Sequence, residues 1–429
     1  MDAAPDPAPS RRALLGLDAL NFTLADVRDG LGPYLAIYLI AVRGPDAGWN
    51  EETTGLVMTI AGIAGLVAQT PAGVLIDRSH QKRALIVASA VAVTLSCLLL
   101  PWISDFYLVT ATQSLAHIAA AVFPPAIAAI TLGVVGPHAF AKRIGRNEGF
   151  NHAGNAIAAA IAGATAYRFG PIVVFWLMAA LAGLSIAATL LIPAGEIDDD
   201  MARGLDRTPS GETGEHPSGF AVLAGNKTLL LFAVLCATFH LANAAMLTSV
   251  GQLLTRLSGK EHATSLIAIC IVAAQCVMVP MAVLVGRNAD RVGRKPIFLF
   301  AFGVLAVRGV LYTFWNQPFY LMAVQCLDGV GAGIYGALFP LVVADLTRGS
   351  GRFNAAQGAV ATAQGLGAAL SATIAGIIIV YAGYSAAFLT LAGIAAAGCL
   401  LFAFAMPETR RATPGGAESP DRGLAAPAE

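Results

Sequence analysis

What most limits this chain is how often it runs apolar for about 20 residues, the length a helix needs to cross a bilayer's hydrocarbon core. Twelve such stretches can be marked along its 429 residues, at about 17–42, 54–76, 84–104, 106–135, 150–168, 171–192, 228–255, 264–286, 297–315, 318–344, 355–381 and 385–406. At that depth every backbone polar group must be satisfied within its own segment, so each stretch is read as a helix. Charged residues make up 12% of the chain, against about 25% in soluble domains. The expected fold class is therefore an all-α membrane protein with twelve transmembrane helices, its partner being the lipid bilayer. Net charge is zero and no basic cluster is large, so no nucleic acid is expected. Cys97, Cys236, Cys270, Cys276, Cys326 and Cys399 all fall inside apolar stretches without CxxC spacing. They read as small core residues, with neither metal nor cofactor expected. The first apolar run continues past residue 40 without an obvious cleavage site, so it is expected as a span rather than a leader.

Between the sixth and seventh stretches lies a polar segment, 193–227, with Asp198, Asp199, Asp200, Pro209 and Pro217. It is expected as a flexible linker. The chain then divides into a tail (1–16), a first six-helix half (17–192), the linker (193–227), a second half (228–406) and a second tail (407–429). With twelve spans both tails share one side. That side carries 20 of the 26 Lys and Arg residues, which places both termini in the cytoplasm.

The halves repeat. Gly73, Asp77, Arg78, Lys82 and Arg83 recur as Gly286, Asp290, Arg291, Arg294 and Lys295, with the two Asp residues 213 positions apart. Gln113 matches Gln325 at 212 and Pro193 matches Pro407 at 214. Duplication accounts for all three offsets, and it places a substrate site at the interface of the halves near the bilayer midplane.

The repeated loops resemble the Gly-x-x-x-Asp-Arg-x-Gly-Arg-Arg signature of the major facilitator superfamily, and the resemblance spans residues 15–408. Gly329, Gly331 and Gly333 in span ten, and the ending Met406, Pro407, Glu408 and Thr409, are similar to that family as well. The resemblance implies alternating access, with Asp77 and Asp290 latching the halves together on the cytoplasmic side. It also implies that spans one, four, seven and ten border a central cavity while span nine is peripheral. The first loop departs from the pattern by carrying Ser79, His80 and Gln81. Span four has Gln113 and His117, and Gly149 to Gly163 contains no proline where drug antiporters carry a Gly-Pro-rich motif.

Charges at membrane depth point to the chemistry, since each costs about 2.5–3.5 kcal/mol to insert. Asp26, Arg28 and Asp29 lie in span one and Asp328 in span ten. Asp26 and Asp29 share a helical face that Arg28 does not. These four are the candidates for proton or substrate coupling, with Asp29 preferred in span one and a structural ion network as the alternative. Arg308 is a candidate structural partner of Asp328. Gln113, His117, His240, Asn243, Gln325 and Tyr335 are candidate cavity residues; the two histidines lack metal-ligand spacing. Polar stripes at Asn151 and Asn155, and at Gln357 and Gln364, read as helix-to-helix hydrogen bonding.

No Gly-x-x-x-x-Gly-Lys loop, nucleophile motif or metal-spaced cluster is present, so neither an ATPase nor an enzyme is expected. The expected protein is a monomeric, proton-coupled secondary transporter of a small organic solute, with efflux slightly favoured. An uptake or facilitative permease and a non-transporting sensor stay open as alternatives.

Overall fold

The computed structural model describes residues 9–28, 35, 38–39, 48–49, 51–169, 173–205, 223–258 and 260–410. Asp29 and the side chain of Asp26 lie outside the described residues. All regular elements described are helical: α1 Arg11–Arg28, α2 Glu51–Arg78, α3 Lys82–Leu98, α4 Phe106–Ala120, α5 Phe123–Phe169, α6 Val173–Leu191, the short α7 Asp199–Ala202, α8 Lys227–Ser258, α9 Lys260–Val292, α10 Arg294–Leu311, α11 Pro318–Thr347 and α12 Phe353–Ala405. Among them, eight helical stretches are long and apolar enough to cross a membrane.

Two helices are folded back on themselves. Gly136 has φ 68°, a left-handed conformation that glycine enters without a Cβ penalty, and Pro137 then starts a new arm. The second arm of α5 therefore begins at residue 137, well before the span edge expected at 150. Gly383 (φ 83°) divides α12 in the same way. The stretch expected as one helix over 106–135 is interrupted at Ala121 and Val122. Pro124 and Pro125 offer no N–H to the carbonyls four residues earlier, so α4 cannot run on into α5.

Each half has its own core. Leu17, Phe123 and Met178 belong to the first, and Phe232, Phe239, Phe298 and Phe302 to the second. The halves meet along two seams, α2 against the first arm of α12 and the second arm of α5 against α9. Both seams are built on glycine. A Cβ on Gly145 would lie 2.5 Å from the Cα of Gly286, and one on Gly286 would lie 2.6 Å from the Cα of Gly145. Gly73 meets the Asn354 carbonyl and Gly358 the Gln69 carbonyl just as closely. Close backbone approach through small residues is how membrane helices associate where burial gives no drive. Gly73 and Gly286 are 213 apart, as are Gly145 and Gly358, so one duplicated pair forms both seams.

The start of the segment expected as a flexible linker is instead built structure. Asp198 caps α7, accepting from the amides of Asp200 and Met201. Its own amide donates to the Gly133 carbonyl at 3.1 Å, while the Phe353 amide donates to Arg203 O at 3.2 Å and the Gly349 amide to Gly204 O. Residues 198–204 thus touch both halves at the basic end, where α2 turns into α3. Backbone groups that find partners there lose the reason to stay solvated.

Candidate functional site

A cavity of about 1010 Å³ lies between the halves. Its walls come from Asn21 and Arg28 of α1, the Met58–Gln69 face of α2, His117 of α4 and the Pro124–Pro125 corner. Asn147 and Glu148 of α5, Tyr335 of α11, and Gln357 and Gln364 of α12 complete it. A mostly apolar pocket with a few convergent polar groups is the usual form of a small-molecule site. On α2 the lining residues stop about two turns short of Asp77, and beyond them the seams are closed. Thr70 and Thr362 share a hydroxyl hydrogen bond of 3.0 Å across that closure.

At the basic end Asp77 binds the opposite half. One carboxylate oxygen accepts from the Asn354 amide at 3.2 Å and from Asn354 Nδ2 at 2.8 Å. The other accepts from the Ala355 amide at 2.7 Å. These amides are among the first four of α12, which have no intrahelical acceptor and sit at the positive end of the helix dipole. Asp77 and Asn354 are both buried. Asn354 Nδ2 also donates to Ala202 O at 3.0 Å, so the connector and the Asp77 carboxylate share one side chain.

The second copy of the loop is built differently from the first. Asp290 accepts from Arg294 Nη1 at 2.7 Å, within its own half, and its side chain is 56% exposed. The repeat offset pairs Asn354 with Ala141, since 354 − 213 = 141. Because the second arm of α5 begins at Pro137, the Ala141 amide already has a helical acceptor and offers nothing to Asp290. Arg294 also reaches Asp345 at 3.0 Å. Glu408 accepts from the amides of Arg294 (2.8 Å) and Lys295 (3.0 Å), capping α10. Burial alone would raise the Glu408 carboxyl, but the donated amides of Arg410, Arg294 and Lys295 outweigh it and hold it below the usual range.

In the first loop Lys82, itself buried, holds Asp199 at 2.6 Å, and His80 holds the same carboxylate at 2.9 Å. Burial raises Asp199, and these two partners outweigh it, leaving the carboxyl below its ordinary value. Arg83 donates to the carbonyls of Thr189 and Leu190 at the end of α6. Arg78 and Arg291 are exposed.

Of the candidate cavity residues, His117 and Tyr335 line the cavity, and Arg28 does so among the coupling candidates. Asp328 does not line it: its carboxylate pairs with the fully buried Arg308, and it accepts from Gln325 Nε2 at 3.1 Å. Arg308 also donates to Asn243 Oδ1 at 2.7 Å and contacts the Met246 sulfur, and Gln325 bonds Tyr312. Asn243 and Gln325 thus belong to a buried network, and Gln113 is buried away from the lining. His240 packs edge-on against Tyr335, with ring centroids 4.6 Å apart, and its Nδ1 meets Cys236 O at 3.1 Å.

Sequence reading missed Glu148, Asn147 and the Asp18 cluster. Asp18 takes both Arg143 and Arg146 at 2.7 Å. Asn147 receives Arg143 Nε at 2.8 Å and donates to Thr131 at 2.9 Å. With span five starting at 150, Arg143, Arg146, Asn147 and Glu148 fall in a loop. The helical spacing of Glu148, Asn151, His152 and Asn155 was the signal that they share its face.

The Major Facilitator Superfamily profile matches residues 16–287 and 260–427. Two relatives are 55% identical over 398 residues, 93% of this chain and 94% of theirs. They are the uncharacterized MFS-type transporters MT2531 and Rv2456c of Mycobacterium tuberculosis strains CDC 1551 / Oshkosh and ATCC 25618 / H37Rv. Among solved structures, the fold is similar to the human organic anion transporter MFSD10 (TETRAN), with TM-score 0.67 and 14% identity over 92% of this chain and 100% of that one. The proton:xylose symporter XylE bound to 6-bromo-6-deoxy-D-glucose gives TM-score 0.68 and 14% identity over 93% and 95%. A glycine-seamed pair of helical halves around one cavity, with a family profile matching both halves, leads to one conclusion: this chain belongs to the major facilitator superfamily, as a multi-pass membrane transporter and not an enzyme.

Proposed function

We propose that the protein is a proton-coupled secondary transporter that moves a small organic solute by alternating access, with efflux as the favoured direction. The observation that carries this reading is the cavity of about 1010 Å³ between two halves that are closed at one end through Asp77 and Asn354. A site closed at one end and lined towards the other fits one of the two states that rocking halves alternate between. The eight apolar stretches, two of them divided by a kink, together with α1 and α10 support a reading of twelve passes. The positive-inside rule puts the basic end, the connector and both termini in the cytoplasm. Arg28, Glu148 and His117 around the cavity favour a solute with polar or ionised groups on an apolar body.

The test begins with a ligand-induced thermal-shift screen on the purified protein, followed by flux of each hit in proteoliposomes with and without a pH gradient. Accumulation that collapses with the gradient supports coupling. Accumulation unchanged by its collapse points to a facilitator, and binding without flux or counterflow would sink the transport reading.

A further inference from the structure

The second arm of α5 carries a junction between the cavity and a seam of the gate. Glu148 is the one acid among the described residues that line the cavity. Asn151 Nδ2 donates to its Oε2 at 3.4 Å. One turn further on, His152 turns its Nε2 towards the same oxygen at 4.0 Å. The other ring nitrogen, Nδ1, lies 2.7 Å from Gln275 Oε1 on α9, across the seam in the other half. Gly336 of α11 faces the carboxylate, and a Cβ there would be in ordinary contact with Oε2 at 3.4 Å.

The protonation of this set is constrained by donor and acceptor counting. With the Gln275 amide oxygen as the near atom, which can only accept, His152 Nδ1 is the donor of this pair and carries a hydrogen in that arrangement. A neutral imidazole has one N–H, so its Nε2 would turn a lone pair towards an ionised carboxylate, acceptor facing acceptor. One proton removes the conflict, either on Nε2 beside a carboxylate or on Glu148 as a carboxyl group. We propose that Glu148 and His152 hold one exchangeable proton between them, and that the bond to Gln275 makes its presence felt at the seam between the halves. The proposal rests on the proton-coupled reading and assigns it a site. Loaded, the junction supports the bond to Gln275 and the closed seam. Emptied, it sets two acceptors against each other next to that bond and favours separation. Protons reach it through the cavity.

Other charged groups around it have their own partners or positions. Arg143 and Arg146, earlier on the same arm, are held by Asp18. Arg28 of α1, His117 of α4 and Tyr335 of α11 face the same cavity. On α9 the charges at Arg287, Asp290 and Arg291 lie more than three turns beyond Gln275. The first arm of α12 presents the neutral Gln357 and Gln364.

The test uses the full chain in lipid nanodiscs with ¹⁵N-labelled histidine, following ring-nitrogen NMR signals against pH. His152 is assigned by its loss in His152→Gln. In the wild type its Nδ1 stays protonated while Nε2 gains and loses a proton. In Glu148→Gln the Nε2 signal should follow pH differently from the wild type, because the carboxylate that faces it is gone. Should Glu148→Gln not fold, Glu148→Asp withdraws the carboxylate by one methylene and should show a smaller change of the same sign. Identical His152 titration in wild type and variant overturns the proposal. With a transported compound in hand, Glu148→Gln that keeps gradient-driven flux overturns the assignment and leaves proton coupling standing. Wild-type flux that ignores the gradient overturns the coupling reading itself, and with it the transport role of this proton.

Discussion

Replacing Asp77 by Asn tests the gate without changing its size. The carboxylate accepts three hydrogen bonds, at 3.2, 2.8 and 2.7 Å, from groups of the opposite half. Bonds to a charged acceptor contribute about 1.5–3 kcal/mol each, not additively. The Asn oxygen can keep the two bonds that one carboxylate oxygen accepts, its amide NH2 then meets the Ala355 amide donor to donor, and the lost charge at the start of α12 removes about 0.3–1 kcal/mol more. The closed state should therefore lose about 2–4 kcal/mol relative to the open one, roughly a 30- to 1,000-fold change in their ratio. Asp290→Asn is the control: its partner Arg294 is in the same half and Asp290 is half exposed, so the ratio should shift by less than about 1 kcal/mol. The assay is pulsed electron–electron resonance between spin labels at Arg78 and Arg287, both exposed and on opposite halves, in a cysteine-free background. Equal shifts from the two substitutions, or none from Asp77→Asn, would refute an asymmetric gate fastened through the first loop.

Three further outcomes are expected. Gly145→Leu should overpack the second seam, opening the same label pair at a cost of about 1–3 kcal/mol to the closed state, whereas Gly62→Ala, with open space around its Cβ, should leave the distances unchanged. Asp328→Asn should lower thermal stability by about 3–5 kcal/mol by stranding the buried Arg308, and Arg308→Met combined with Asp328→Leu should cost less than that single change, as melting in detergent would show. Glu408 has a depressed folded pKa, so its stabilisation is present above its unfolded value near 4.5 and is lost as pH falls through the lower folded value. The fall in melting temperature across that window should therefore be smaller in Glu408→Gln than in the wild type.

Much of the fold could be read from the chain because membrane insertion leaves few choices. Runs of about 20 apolar residues and a recurrence of Gly and Asp at one fixed offset allow little else. What escaped notice was decided by local chemistry at span edges. Pro124 and Pro125 stop a helix that hydropathy alone would continue, and Gly136 with Pro137 turns the chain within a residue or two, so that residues 137–149 become helix rather than loop. That one boundary hid Glu148, Asn147 and Arg143. The two Asp loops look alike in sequence, yet only Asp77 meets a helix start, because α12 begins at Phe353 while the matching arm of α5 began earlier. Asp328 and Arg308 could be paired from the sequence, but their distance from the cavity depended on packing that no spacing rule encodes.

The connector that shares Asn354 with Asp77 also has a thermal consequence. Residues 198–204 are fixed by hydrogen bonds to both halves while the basic end is shut. If opening frees them, each residue regains backbone freedom worth about 1–2 kcal/mol at room temperature. That return is entropic and grows with heating, while the bonds it replaces are enthalpic. The gate then acts as a temperature-sensitive spring, in which cold favours the fastened state and warmth the released one.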